Sequence, residues 1–474
     1  MVRIHVGECA PPITSERVTR RTTDMPAQRS SRRGIDLSAL ARRYATVVRL
    51  AYLACIAIAT LLHLGVDASG TNAAFRLHRA LDPQLGFRDI VDAARNVALF
   101  LGWGATWVLT SQAPSTRRDV AAATLAGMLA SVAVETAQLF SQFRTASLAD
   151  VFTNTLGSLI GALALWLMEK RAVGDMRRGT LIGIPGWLPA SALLMTGFGL
   201  AFAPSSRASM IVAYSGSPLE RAALVAGIAA VDVPWTALVT DVVVWMAVGL
   251  AVSVAISDRT GRIRTTRLFA WLAIVSGLLA VAHAGRSLAG LQREAGTWIF
   301  QASAAAAGLL SGLVLVPVWR SRVLARSTRA YQLAAIAAAV GVLVSWTPAA
   351  WAARAAGAPV FNWRQLVPMM SLFQRQDLSS VFLVLQKAGL GAAVGACLAA
   401  RTRVGDPHPG VRAAVLYATV LELGQVFVPG RYPDVTDILI TVSAASLVAV
   451  LVERADAATR NALAAPDLGL KGGG

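Results

Sequence analysis

Glu135, Gln138, Arg144, Asp150 and Asn154 stand out in type from the apolar residues around them. Their spacing, Glu-x2-Gln-x5-Arg-x5-Asp-x3-Asn, returns later in the chain. The second copy is Glu422, Gln425, Arg431, Asp437 and Thr441. It begins 287 residues on (422 − 135 = 287), keeps every interval and changes only the last residue type. The residues around the arginine differ, SQFRTASLAD in one copy and VPGRYPD in the other. Low complexity therefore does not produce the match, and an internal duplication is the simplest account. Glutamate and glutamine three apart share one face of a helix. The arginine falls in the turn that follows. The aspartate opens the next helix, where it can cap free N–H groups and meet the positive end of the helix dipole. Such a set can present a planar guanidinium fork to a phosphate or carboxylate. It can equally be an ion bridge that fixes a helical hairpin. Charges at membrane depth are costly and persist mainly where they do something.

The elements that must position these residues are membrane helices. The chain of 474 residues is 55% hydrophobic and 15% charged, with mean hydropathy +0.57, against about a quarter charged in soluble domains. Apolar stretches long enough to cross a hydrocarbon core of roughly 30 Å recur throughout. The alternating ten-residue segments of a β-barrel do not occur. The net charge of +18 invites a nucleic-acid reading. The arginines, however, gather in the N-terminal tail and in alternate short loops, as the positive-inside rule requires, and no nucleic acid is expected. Cys9, Cys55 and Cys397 have neither disulfide nor zinc spacing, and the five histidines form no ligand pattern. No metal and no cofactor is expected.

Apolar runs read against basic loops predict an all-α polytopic membrane protein with about twelve spans in three sets of four. The first set is expected near 46–66, 93–110, 119–140 and 150–168. The second is expected near 183–203, 235–256, 267–284 and 298–318, and the third near 330–350, 379–399, 412–428 and 436–452. This divides the chain into a basic tail (1–45), a four-helix unit (46–168), a middle unit (169–330), a second motif-bearing unit (331–452) and a C-terminal tail (453–474). Both termini are expected in the cytoplasm, and both motifs at the outer membrane boundary. Gly157 and Gly161 follow the first motif as a small-xxx-small pair that lets a neighbouring helix approach closely. Ala444 and Val448 stand in their place in the third set, so looser packing is expected there. Registering Gly308 and Gly312 on the same pair puts Arg286, Ala289, Ala295 and Gln301 where the middle set would carry the motif. That set reads as either a decayed repeat or an unrelated insertion, with decay slightly favoured.

The segments VETAQLFSQFRTASLADVFTNTLGSLIGALA at 134–163 and LELGQVFVPGRYPDVTDILI at 421–440 resemble the VanZ-like family of bacterial membrane proteins. The run from Asp92 through Asn96 to Gly102 resembles that family's asparagine-containing second span, and Asn362 to Pro368 resembles the segment preceding it in the third set. The second copy has Gln386 and Lys387 where the first has Asn96. The resemblance implies a protein of the bacterial cytoplasmic membrane connected with glycopeptide antibiotic tolerance. It names no reaction, so whether the protein is an enzyme stays open.

The residues themselves support three readings. In the first, Glu135, Gln138, Arg144, Asp150, Asn154, Glu422, Gln425, Arg431 and Asp437 bind an anionic or lipid-linked envelope precursor, with membrane lipids as the other partners. In the second, twelve spans with internal repeats make a secondary transporter, although transport sites usually lie at the bilayer midplane. In the third, the clusters only staple helices.

Overall fold

The computed structural model describes residues 42–61, 87–112, 114–140, 146–202, 235–257, 264–288, 297–321, 326–346, 379–399, 408–428 and 433–464. These form twelve α-helices and no strand. The first four are α1 (Ala45–Leu61), α2 (Phe87–Leu109), α3 (Arg117–Gln138) and α4 (Leu148–Arg178). Next come α5 (Trp187–Phe202), α6 (Trp235–Ile256), α7 (Thr265–Leu288) and α8 (Thr297–Ser321). The last are α9 (Arg326–Trp346), α10 (Ser379–Ala399), α11 (His408–Gly424) and α12 (Val435–Ala464). A short 3-10 turn, Gln425–Phe427, extends α11.

Each expected span overlaps one of these helices, and positions 62–66, 203 and 347–350 of those spans lie outside the described residues. Six of them are long and apolar enough to cross a membrane, within α3, α4, α6, α9, α10 and α12, and four others are shorter apolar helices. Large apolar side chains also face outward: Phe152, Phe269, Val314 and Leu416 are each about two-thirds exposed. Surface of that kind suits lipid and is costly in water.

The helices form because long apolar stretches satisfy every backbone group internally, which a bilayer core demands. Turn chemistry divides them. Thr116 caps α3 by accepting the Asp119 N–H while Asp119 accepts the Thr116 N–H, a reciprocal capping box. Within the first unit Ile56, Phe100, Trp103 and Val134 pack together. Arg49 fixes the end of α1 on α2 by stacking 4.0 Å from the Trp107 ring and donating to Thr110 Oγ1 at 2.9 Å.

Close helix pairing recurs between the second and fourth helices of each set. In the first unit a Cβ at Gly157 would meet the Val97 carbonyl, and one at Gly161 would run into Leu101. In the middle unit Gly308 sits against Met246, and Gly312 against Leu250 and Ser253. The expectation of looser packing in the third unit is corrected. There the flat surface moves to the facing helix, where Gly391 and Gly395 on α10 lie against Thr441 and Ala445 on α12. Two boundaries also shift: α4 continues to Arg178 and α12 to Ala464, past the expected span ends at 168 and 452. The basic N-terminal tail lies outside the described residues apart from its last four positions.

The middle and third units touch through α5 and α10. Gly389 packs on Ala192 and Thr196, and the Thr196 hydroxyl donates to the Gln386 carbonyl at 3.3 Å. The first and third units meet where α4 and α12 end. Arg454, 1% exposed, binds Glu169 Oε1 through Nε at 3.1 Å and Oε2 through Nη2 at 3.3 Å. It also donates to the carbonyls of Leu109, Ser111 and Gln112 at 2.7, 2.9 and 3.2 Å. Ser115 completes the carboxylate's shell through its N–H and its hydroxyl.

Candidate functional site

Each motif straddles a helical hairpin, α3–α4 in the first copy and α11–α12 in the second. The glutamate at the end of the first helix reaches forward to the start of the next. Glu135 Oε2 accepts the Ser147 N–H at 2.8 Å, and Glu422 Oε2 accepts the Asp434 N–H at 3.1 Å, twelve residues on in both copies. A carboxylate there satisfies an N–H that the helix leaves without an internal partner. The aspartates expected to do this capping do something else. Asp150 lies in the first turn of α4, whose N-cap is Ser147, and its Oδ1 accepts Asn96 Nδ2 from α2 at 2.7 Å. Asp437 lies in the first turn of α12, and its Oδ2 is 2.8 Å from Lys387 Nζ of α10. Capping in the second copy falls to Asp434, whose Oδ1 accepts the Thr436 N–H at 2.8 Å.

Asn96 and Lys387 therefore hold corresponding places, each on the second helix of its set and each donating to the motif aspartate. Their charges differ, and with them the two sites. Lys387 is 5% exposed and bonds Glu422 Oε1 at 2.9 Å as well as Asp437. Gln425 Nε2 donates to the same Glu422 oxygen at 2.8 Å. The second cluster is thus a buried triad of one ammonium between two carboxylates, in which Asp437 Oδ1 has no hydrogen-bond partner among the described residues. In the first cluster the neutral Asn96 replaces the cation. Asn154, 3% exposed, donates to Ser131 Oγ at 2.8 Å, and its Oδ1 has no hydrogen-bond partner among the described residues. Gln138 is buried in this cluster, and Thr441 is buried in the other.

Glu135, Asp150 and Asn154 are thus brought together with Asn96, and Glu422, Gln425 and Asp437 with Lys387. Arg144 and Arg431 lie outside the described residues. The sequence reading noted Asn96 and Lys387 without placing them in the site. The available signal was a polar residue inside an otherwise apolar helix, which in a membrane protein is a functional or structural marker.

The middle unit fills the corresponding place differently. Met246 meets Gly308 as Val97 meets Gly157, so the residue before it, Trp245, stands where Asn96 does. Its indole is fully buried, with Nε1 lacking a hydrogen-bond partner among the described residues.

The fold is that of a polytopic helical membrane protein with polar clusters set into its helix pairs. Residues 49–169 match the VanZ/LLP1 family model. The match runs from Arg49 in α1 to Glu169 in α4, so the chain carries a VanZ-like domain in its first unit. The second motif copy lies outside that match. Comparison with curated proteins and with solved structures returned no match.

Proposed function

We propose that the protein works in the bacterial cell envelope. On this reading its first cluster, Glu135, Gln138, Arg144, Asp150 and Asn154 with Asn96, receives an anionic or lipid-linked envelope molecule through the Arg144 guanidinium. The protein sits in the cytoplasmic membrane with about twelve spans, cytoplasmic termini, both clusters outward, and three four-helix units derived by duplication. The observation that carries this reading is the exchange of Asn96 for Lys387. In the second copy an internal ammonium already occupies the space between Glu422 and Asp437. That copy is self-contained, and Arg431 there keeps a structural part. The first copy has an amide at that place, together with the buried Asn154 oxygen, which has no hydrogen-bond partner among the described residues. Its polar capacity suits a ligand that brings hydrogen-bond donors of its own.

The helix-staple reading is favoured by a separate observation, the glutamate-to-backbone bond that ties each hairpin. Two substitutions separate the readings. Arg144→Lys keeps the charge and loses the planar fork. Asn96→Lys gives the first cluster the cation of the second. Both variants should reach normal abundance, and both should raise teicoplanin sensitivity of the native host toward that of a strain lacking the protein, with Arg431→Lys having the smaller effect. If the deletion strain is sensitised while folded Arg144→Lys and Asn96→Lys match wild type, the staple reading replaces ligand recognition.

A further inference from the structure

Where α4 ends and α5 and α7 begin, the helices form an open cavity of about 260 Å3, several water molecules' worth of room. Its lining includes Arg178, Arg264 and Arg267 with Asp175, Trp187 and Gly179. One carboxylate therefore shares the lining with three guanidinium groups. Asp175 Oδ1 lies 3.6 Å from Arg267 Nη2 and 3.8 Å from Arg178 Nη1, and Oδ2 accepts the Trp187 indole N–H at 3.0 Å. Charge-assisted hydrogen bonds close at about 2.7–2.9 Å, so these two ion pairs are loose. Among the described lining residues, the positive charges exceed the acid by two. Gly179 (φ 79°) ends α4, and Gly183 (φ 86°) adds a second left-handed residue, which lets the chain double back beside the helix end.

We propose that this cavity binds the phosphate of an anionic lipid headgroup. Basic pockets between membrane helices on the cytoplasmic side suit such headgroups, and the arginine-rich ends of α4 and α7 are the ones that positive-inside charge bias assigns to that side. A phosphate diester supplies the single negative charge and the paired oxygens that guanidinium forks accept. Within the first turns of α7, Phe269 and Leu272 are exposed at 70% and 43%. Acyl chains attached to the bound phosphate would cover that surface, whereas a free phosphate ion would not. The site is separate from both motif clusters, and it would tie the middle unit's seating to the lipid composition of the inner leaflet.

The test uses the full-length protein, delipidated and returned to nanodiscs of phosphatidylglycerol or of phosphatidylcholine, with retained lipid counted by native mass spectrometry. Phosphatidylglycerol should be retained preferentially. At about 1 kcal/mol per basic residue near an anionic surface, Arg264→Gln should weaken retention about fivefold, and Arg264→Gln with Arg267→Gln about twenty-five-fold. Arg117→Gln with Arg118→Gln, a basic pair away from the cavity, should leave it unchanged. Melting temperature checks that each variant is folded, and the single Arg264 change leaves the Asp175 pairs intact. Equal retention of the two lipids, or undiminished phosphatidylglycerol retention in both folded cavity variants, would overturn the proposal. So would thermal stabilisation by inorganic phosphate without any by phosphatidylglycerol, which would assign the cavity to a soluble anion.

Discussion

Lys387 governs the energetics of the second cluster because, among the described residues, it is the cation that stands between two buried carboxylates. Removing it leaves Glu422 and Asp437 facing each other without a cation, a loss of about 3–5 kcal/mol for a buried pair broken on one side. Lys387→Met should therefore lower the melting temperature of the detergent-purified protein strongly. The triple change Lys387→Met, Glu422→Gln and Asp437→Asn should recover most of it, since no charge is then stranded. A triple variant as unstable as the single one would mean that the lysine acts through packing. Asn96→Ala removes a neutral donor and should cost about 1–3 kcal/mol. The motif positions themselves were legible in the sequence because four of five residue types recurred at fixed intervals. Lys387 and Asn96 were harder to place. They sit on other helices, and a linear interval between two copies carries no record of which helix packs beside which.

Among the elements, the closest approaches decide how the helices pair. A methyl group at Gly161 meets the backbone of Leu101, which cannot move aside as a side chain could. Gly161→Ala should therefore destabilise the α2–α4 pair by about 1–3 kcal/mol, the usual cost of overpacking. Gly174→Ala in the same helix meets nothing within 4 Å and should be neutral or stabilising by up to about 1 kcal/mol through helix propensity. Matching melting temperatures for the two variants would refute the close-packing account. The glycine pair on α4 could be read from its four-residue interval. The third unit defeated the same rule, because a tight crossing requires small residues on either helix. There Gly391 and Gly395 of α10 provide them, while Val448 on α12 is merely buried.

At the scale of the whole molecule, helix positions followed from apolar length and basic loops, since both are properties of a single segment. The sidedness they imply is testable. In a background without Cys9, Cys55 and Cys397, cysteines at 142 and 432 should react with an impermeant thiol reagent added to intact cells, and cysteines at 174 and 324 should not. The opposite pattern would turn the protein over and put both motifs inside. What the sequence concealed was the clasp of Arg454 on Glu169. Arg454 read as part of a C-terminal tail, and nothing in a local pattern pairs residues separated by 285 positions. Arg454→Met leaves Glu169 buried and should lower the melting temperature by more than Arg460→Met, whose ion pair with Asp456 is exposed.

That clasp has a consequence for biosynthesis. Glu169 leaves the ribosome 285 residues before the arginine that binds it. At roughly 5–20 residues per second, the interval is about a quarter of a minute to a minute. During that time the first unit carries a carboxylate whose final partner has not been made, and three backbone carbonyls near it wait for the same guanidinium. A chain that stops before α12 never receives Arg454, so incomplete products keep an acid with no matching charge at the junction of the units. Completion of the last helix and closure of the first and third units against each other thus become one event. The stability of the assembled protein reports that its translation passed α12.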